Sequence, residues 1–250
     1  MLPKISFPTF TIEIPSTKKK EMFRPFLVKE EKILLMAKLS EKDGDILTAV
    51  KQIVNNCAID ETFDIDKLTI FDLEYLFIKI RAASVEDIVK VSYKDNEDNK
   101  IYDFEINLND IKVVFPEEID NNIKIGDNTG ILMKYPDASL YDDKEFLNSG
   151  DDALFNLIIK CIDKIYDGEE MYDVKNYDKQ ETEKFLDNLN VKTFEKIRNF
   201  MSNQPKMSYD IKYTNANGKK RTINLSSLSD FFTLRWVIIR FKTIILCYFH

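Results

Sequence analysis

The chain is short of the residues on which most catalysis depends. Its only histidine, His250, is the last residue. Its three cysteines, Cys57, Cys161 and Cys247, lie far apart and form no C-x-x-C pair. Zinc binding and histidine acid–base chemistry therefore have almost no raw material, and scattered thiols of odd number suit a reducing compartment. Six glycines in 250 residues leave little for glycine-rich phosphate loops, and none of G-x-x-x-x-G-K-[ST], G-x-S-x-G or H-E-x-x-H occurs. A formal charge of −7 disfavours a general nucleic-acid binder. The compact basic run Lys18-Lys19-Lys20 reads as a solvated hairpin turn. No uncharged apolar run reaches the roughly 18 residues of a membrane span; Arg235, Arg240 and Lys242 interrupt the best candidate, in 233–250. Met1-Leu2-Pro3-Lys4 lacks the apolar core of a signal peptide, so the expected compartment is the cytoplasm.

What is present suits a folded chain. An apolar share of 44% with 12% aromatics supplies a core for one large domain or two small ones. The expected fold class is α+β. Residues 1–85 read as a β-hairpin plus three helices. Phe10, Ile12 and Ile14 alternate with polar residues, Pro15-Ser16-Thr17 turns the chain, and 21–26 returns. Helix one is expected over 29–42, broken by Asp43-Gly44-Asp45. Helix two, over 45–57, carries Ile46, Val50, Ile53, Val54 and Cys57 on one stripe, which makes Cys57 a buried packing residue. Helix three starts at a Thr69 cap with Asp72 three residues on.

Period-two alternation then takes over, and 86–140 reads as a small, mostly-β unit. Strands are expected at 88–93, 101–106, 111–115, 123–125 and 130–136. Helices return over 141–232: 151–166 with Cys161 on its apolar face and Gly168 as its cap, then 180–190 and 191–202. Asn217-Gly218 signals a closing hairpin within 207–225. Residues 233–250 form an apolar, basic extension whose removal should leave the fold intact.

The densest acidic cluster is Asp163, Asp167, Glu169, Glu170 and Asp173. Ile165 and Tyr166 break the calcium-loop pattern. A carboxylate pair for hydrolysis remains a remote reading, since acidic residues are common throughout the chain. No catalytic residue, cofactor or metal site is assigned.

Several blocks in order resemble the baseplate hub assembly proteins of T-even-type contractile-tailed phages. They are Leu2-Pro3, Pro15-Ser16-Thr17, Phe23-Arg24-Pro25-Phe26-Leu27-Val28-Lys29-Glu30-Glu31-Lys32, Ile53-Val54-Asn55-Asn56-Cys57 and Phe71-Asp72-Leu73-Glu74-Tyr75-Leu76-Phe77 with Ile80-Arg81-Ala82. Further along come Gly130-Ile131-Leu132-Met133-Lys134-Tyr135-Pro136, Cys161 to Glu170, Phe185-Leu186-Asp187, Phe200 with Pro205, and Leu228-Ser229-Asp230-Phe231-Phe232. Coverage is about residues 2–232. Some relatives carry cysteines near the middle hairpin; Ser92 to Lys100 here has none, which argues against a zinc role.

The resemblance implies a non-enzymatic assembly chaperone of the baseplate hub, with a permanent hub subunit as the alternative and an acidic cytoplasmic hydrolase as the remote one. Implied partners are other baseplate hub and tail proteins, in the host cytoplasm during assembly, with the virion baseplate as the alternative location. Neither nucleic acid nor a membrane span is expected. Arg24 and Lys29 are the candidate interaction-surface residues.

Overall fold

The computed structural model describes residues 6–40, 43–117, 120–143, 146, 150, 153–228 and 230. Leu2-Pro3, Phe231-Phe232, Cys247 and the extension 233–250 lie outside the described residues. The fold is α+β, and the chain forms two compact units. Of the described residues, those up to 114 and those of 206–230 make the first; those of 115–205 make the second.

The first unit begins with the hairpin β1 (Phe10–Glu13) and β2 (Lys20–Phe23). β2 continues into a bridge between Phe23 and Ala58, and the Arg24 N–H donates to the Cys57 carbonyl at 2.9 Å. Three helices follow: α1 (Val28–Leu39), α2 (Asp43–Cys57) and α3 (Ile70–Ser84). Asp43 and Gly44 lie inside α2, so the expected break falls earlier, after Leu39. The α2 stripe of Ile46, Val50, Ile53, Val54 and Cys57 is buried as its spacing requires. Thr69 caps α3: its hydroxyl accepts from the Asp72 N–H and donates to the Asp72 carboxylate at 2.6 Å. Leu73, Leu76, Phe77 and Ile80 are fully buried below it.

β3 (Ile88–Lys94) and β4 (Ile101–Asn107) form the next hairpin. A three-stranded antiparallel sheet completes the unit in the order β11, β10, β5, from β5 (Lys112–Val114), β10 (Lys206–Thr214) and β11 (Lys220–Leu225). Gly218, with φ 78°, sits in the β10–β11 turn where a left-handed residue is needed.

The second unit holds a four-stranded antiparallel sheet in sequential order: β6 (Asn122–Lys124), β7 (Thr129–Met133), β8 (Ile162–Asp167) and β9 (Glu170–Asp173). Its helices are α4 (Ala153–Cys161), α5 (Lys179–Asp187) and α6 (Val191–Ser202). Asp178 and Glu181 cap α5 reciprocally, and Asn190 caps α6. Tyr135 stacks on Phe200 at 5.2 Å, and Phe155 on Phe194 at 5.7 Å.

Two expectations are corrected here. The helix expected over 151–166 ends at Cys161, and Ile162 opens β8. Ile162, Ile165 and Tyr166 continue a helical i, i+3, i+4 spacing, so local periodicity points to helix here, and pairing with β7 on one side and β9 on the other overrides it. Gly168 therefore turns β8 into β9, with φ 63°, and caps no helix. The strands of 86–140 do not close into one β unit either: β3 pairs with β4, β5 with β10, and β6–β7 with β8. Alternation announces a strand, while its partner is chosen by long-range pairing.

Candidate interaction surfaces

Arg24 leaves β2 and turns inward. Its guanidinium donates to Glu30 through both terminal nitrogens, at 2.9 and 3.2 Å, and to the Asn56 carbonyl at 2.6 Å. Glu30 also accepts the Leu27 N–H at 2.9 Å, the return half of a capping box for α1. The Arg24 side chain is 15% exposed and that of Glu30 0%. Burial pushes the Glu30 carboxyl up, yet the Arg24 hydrogen bond, the Leu27 N–H and the nearby positive charges hold it below the usual carboxylate range. Arg24 is thus a buried tie between β2, α1 and α2. Lys29, 63% exposed and 3.6 Å from Glu30, is the surface member of the expected pair. Cys57 lies against the same guanidinium at 3.7 Å, and burial pushes its thiol up to about 11. Burial likewise raises the Cys161 thiol, so both buried cysteines are inert packing residues.

A second tie centres on Asp72, which has no exposed surface. It accepts the Ser16 N–H at 2.9 Å and the hydroxyls of Ser16 and Thr69. A third joins the tips of two hairpins in the first unit. The Tyr213 hydroxyl donates to Asp95 at 2.6 Å, and the Ala216 N–H donates to Asp98 at 2.9 Å. Arg221 sits 3.6 Å from Asp95 and 3.4 Å from Glu97. The Tyr213 ring packs on Tyr102 at 4.9 Å and Phe104 at 5.3 Å.

α1 presents the opposite situation. Glu30 and Ala37 are buried on its inner side, while Val28, Leu35, Met36 and Leu39 are 48–72% exposed. At 100° per residue, Val28, Leu35 and Leu39 fall on one stripe with Met36 beside it. Lys29 and Glu31 flank this face, and the exposed Lys32 falls within it between Leu39 and Met36. Sequence periodicity alone missed it, because apolar residues occur on both sides of α1 and leave no amphipathic contrast.

The acidic stretch 163–173 is the β8–β9 hairpin. Asp167 accepts from the Thr129 hydroxyl at 2.7 Å, Glu170 from the Tyr172 hydroxyl, and Asp173 from Lys175. Among the described residues, no group of three or more His, Cys, Asp or Glu is placed to hold a metal ion, and no helix is long and apolar enough to cross a membrane. In the second unit a cavity of about 340 Å³ opens between α4, α5 and the chain after β7.

A chain whose buried polar groups tie its own elements together, and which leaves an apolar helix face uncovered, has the make-up of a protein that docks on another protein. Comparison with known families gives the particular class: the chain belongs to the T4 bacteriophage base plate protein family, whose model matches residues 7–233. Membership supports a structural or assembly role in the phage baseplate. Comparison with curated proteins and with solved structures gives no match.

Proposed function

We propose that this protein is a non-enzymatic assembly chaperone of the central baseplate hub, working in the host cytoplasm and binding another hub protein through the outer face of α1. The observation that carries the reading is the exposed Val28, Leu35, Met36 and Leu39 stripe. It lies on the helix that follows Phe23-Arg24-Pro25-Phe26, inside the residues matched by the family model. An apolar helix face with a charged rim suits insertion into a groove of a partner. Each of these side chains would contribute about 1.5–3 kcal/mol if fully covered.

A phage lacking the protein should still make heads but few complete tails. Leu35→Asp combined with Met36→Lys should leave cooperative unfolding unchanged and fail to restore tails. Complete tails from the deletion phage would end the assembly reading. Stoichiometric protein in purified virions would favour the second reading, a permanent hub subunit, over the chaperone.

A further inference from the structure

The sheet of β11, β10 and β5 in the first unit has two faces of opposite character. Residues directly opposite on paired strands share a face. Met207, Ile211 and Leu225 are buried on one side, where the Tyr213 ring packs on Tyr102 and Phe104. The other side carries the exposed lysines Lys112, Lys206, Lys212 and Lys220 against the single carboxylate of Asp210. Asp210 accepts the Asn224 side-chain amide at 2.7 Å, and that amide also donates to the Ser208 hydroxyl at 3.0 Å. None of the four lysines makes an ion pair or a side-chain hydrogen bond among the described residues. The solvent side of the β3–β4 hairpin is balanced by comparison: Lys90 pairs with Glu105 at 3.2 Å, and Asp103 accepts the Ser92 hydroxyl. Unpaired positive charge on one sheet face stands out in a chain of net charge −7.

The lysines fall in two pairs. Lys212 stands opposite Thr222 and Lys220 opposite Thr214, which makes the two lysines diagonal neighbours, about 7–8 Å apart at the backbone. Lys112 and Lys206 form the same diagonal between β5 and β10. Lys212 is six residues along β10 from Lys206, roughly 20 Å at about 3.4 Å per residue. Glu117 and Glu118 follow Val114 in sequence, and Val114 is at the Lys206 end of the sheet; Glu118 lies outside the described residues. Lys212 and Lys220, at the other end, therefore carry the greater weight. Glu97, at the adjoining hairpin tip, is engaged by Lys219 and Arg221. Residues 231–250 contain no aspartate or glutamate that could neutralise this face.

We propose that the solvent face of this sheet docks an acidic, extended segment of a protein partner, its carboxylates meeting Lys212 and Lys220 at one end and Lys112 and Lys206 at the other. In an extended segment alternate side chains point the same way about 7 Å apart, the separation within each lysine pair. The face holds neither an aromatic ring for stacking bases nor an arginine for bidentate phosphate contacts. The negative net charge also opposes a nucleic acid at long range. This surface is separate from the outer face of α1 and does not rest on the hub reading.

The test follows the anisotropy of a labelled peptide, Glu-Thr-Glu-Val-Glu-Thr-Glu, on addition of the full-length chain at low salt. A peptide with glutamine at every glutamate and a labelled oligothymidine serve as comparisons. Saturable binding of the glutamate peptide is expected, with most of it lost at about 0.5 M salt, where exposed charges are screened. Lys212→Gln with Lys220→Gln should weaken it about three- to tenfold. Lys212→Arg with Lys220→Arg keeps the charge and should bind as the parent does. Lys184→Gln with Lys192→Gln, in the second unit, removes the same charge and should change nothing. Equal binding of the glutamine peptide, equal weakening by the second-unit variant, or tighter binding of the oligothymidine through the same lysines would overturn the proposal. So would self-association of the Lys212→Gln, Lys220→Gln chain with peptide binding intact, because the lysines would then serve to guard the open edge of β11.

Discussion

Arg24→Ala strands the Glu30 carboxylate, which has no exposed surface, and removes the donor to the Asn56 carbonyl. Breaking a buried pair from one side costs about 3–5 kcal/mol, so chemical denaturation should show a loss of that size. Lys29→Ala, at an exposed side chain, should change stability by under about 0.5 kcal/mol. Glu74, half-buried on α3, gives a pH signature. Burial pushes its carboxyl up to about 8, and the Asp230 charge adds to the shift. The folded protein then keeps a proton that the unfolded chain has released. Stability is complete below the ordinary carboxylate value and falls as pH rises toward about 8. Glu74→Gln should flatten that fall, leaving the variant more stable than the parent in thermal melts at about pH 9. At this scale the sequence was readable where a residue sat on a periodic stripe, as with Cys57. Arg24 was not readable, because a guanidinium beside a proline turn looks the same pointing outward or toward a glutamate six residues on.

Among the elements, β7 and β8 show what the family blocks do. Gly130 faces Tyr166 across the strand pair, and a Cβ at Gly130 would fall on the tyrosine ring, 2.7 Å from its Cε1. The Tyr166 hydroxyl donates to Asn122 of β6 at 2.8 Å, so the ring cannot swing aside without losing that bond. Gly130→Ala should therefore destabilise the protein by about 1–3 kcal/mol, and Tyr166→Ala in the same chain should relieve part of that penalty in a double-mutant cycle. The blocks carrying the family resemblance meet in pairs: Gly130 with Tyr166, Ser16 with Asp72, Arg24 with Asn56. What could be recognised in the sequence was thus largely the frame. The exposed α1 face depends on which neighbours are missing, and periodicity carries no record of that. β8 was hidden for a related reason, since Ile162, Ile165 and Tyr166 carry a helical spacing that only the flanking strands override.

For the whole molecule, the informative feature is where the chain passes from one unit to the other. It leaves the first unit after Val114, at the end of β5, and returns at Lys206, the start of β10. Val114 and Lys206 are cross-strand partners, so the second unit interrupts the connection of two adjacent antiparallel strands. Joining those partners by a short turn in place of 115–205 should leave a first unit that unfolds cooperatively, because insertions are tolerated where two chain ends already lie together. Loss of a cooperative transition by circular dichroism would contradict this. None of this pairing was legible beforehand: β5 and β10 are 91 residues apart, and nothing local in either names the other.

That arrangement also sets an order of events on the ribosome. Residues 115–205 form one continuous stretch and can complete their fold once they emerge. The first unit cannot, because β5 waits for β10 and β11, whose last residue is Leu225. At the usual pace of synthesis, about 5–20 residues per second, β5 spends roughly 5–20 s without its sheet partner. Nascent chains halted near residue 180 should then be cut readily by protease around β5. Chains halted well past residue 225 should be protected there, once both strands have cleared the exit tunnel.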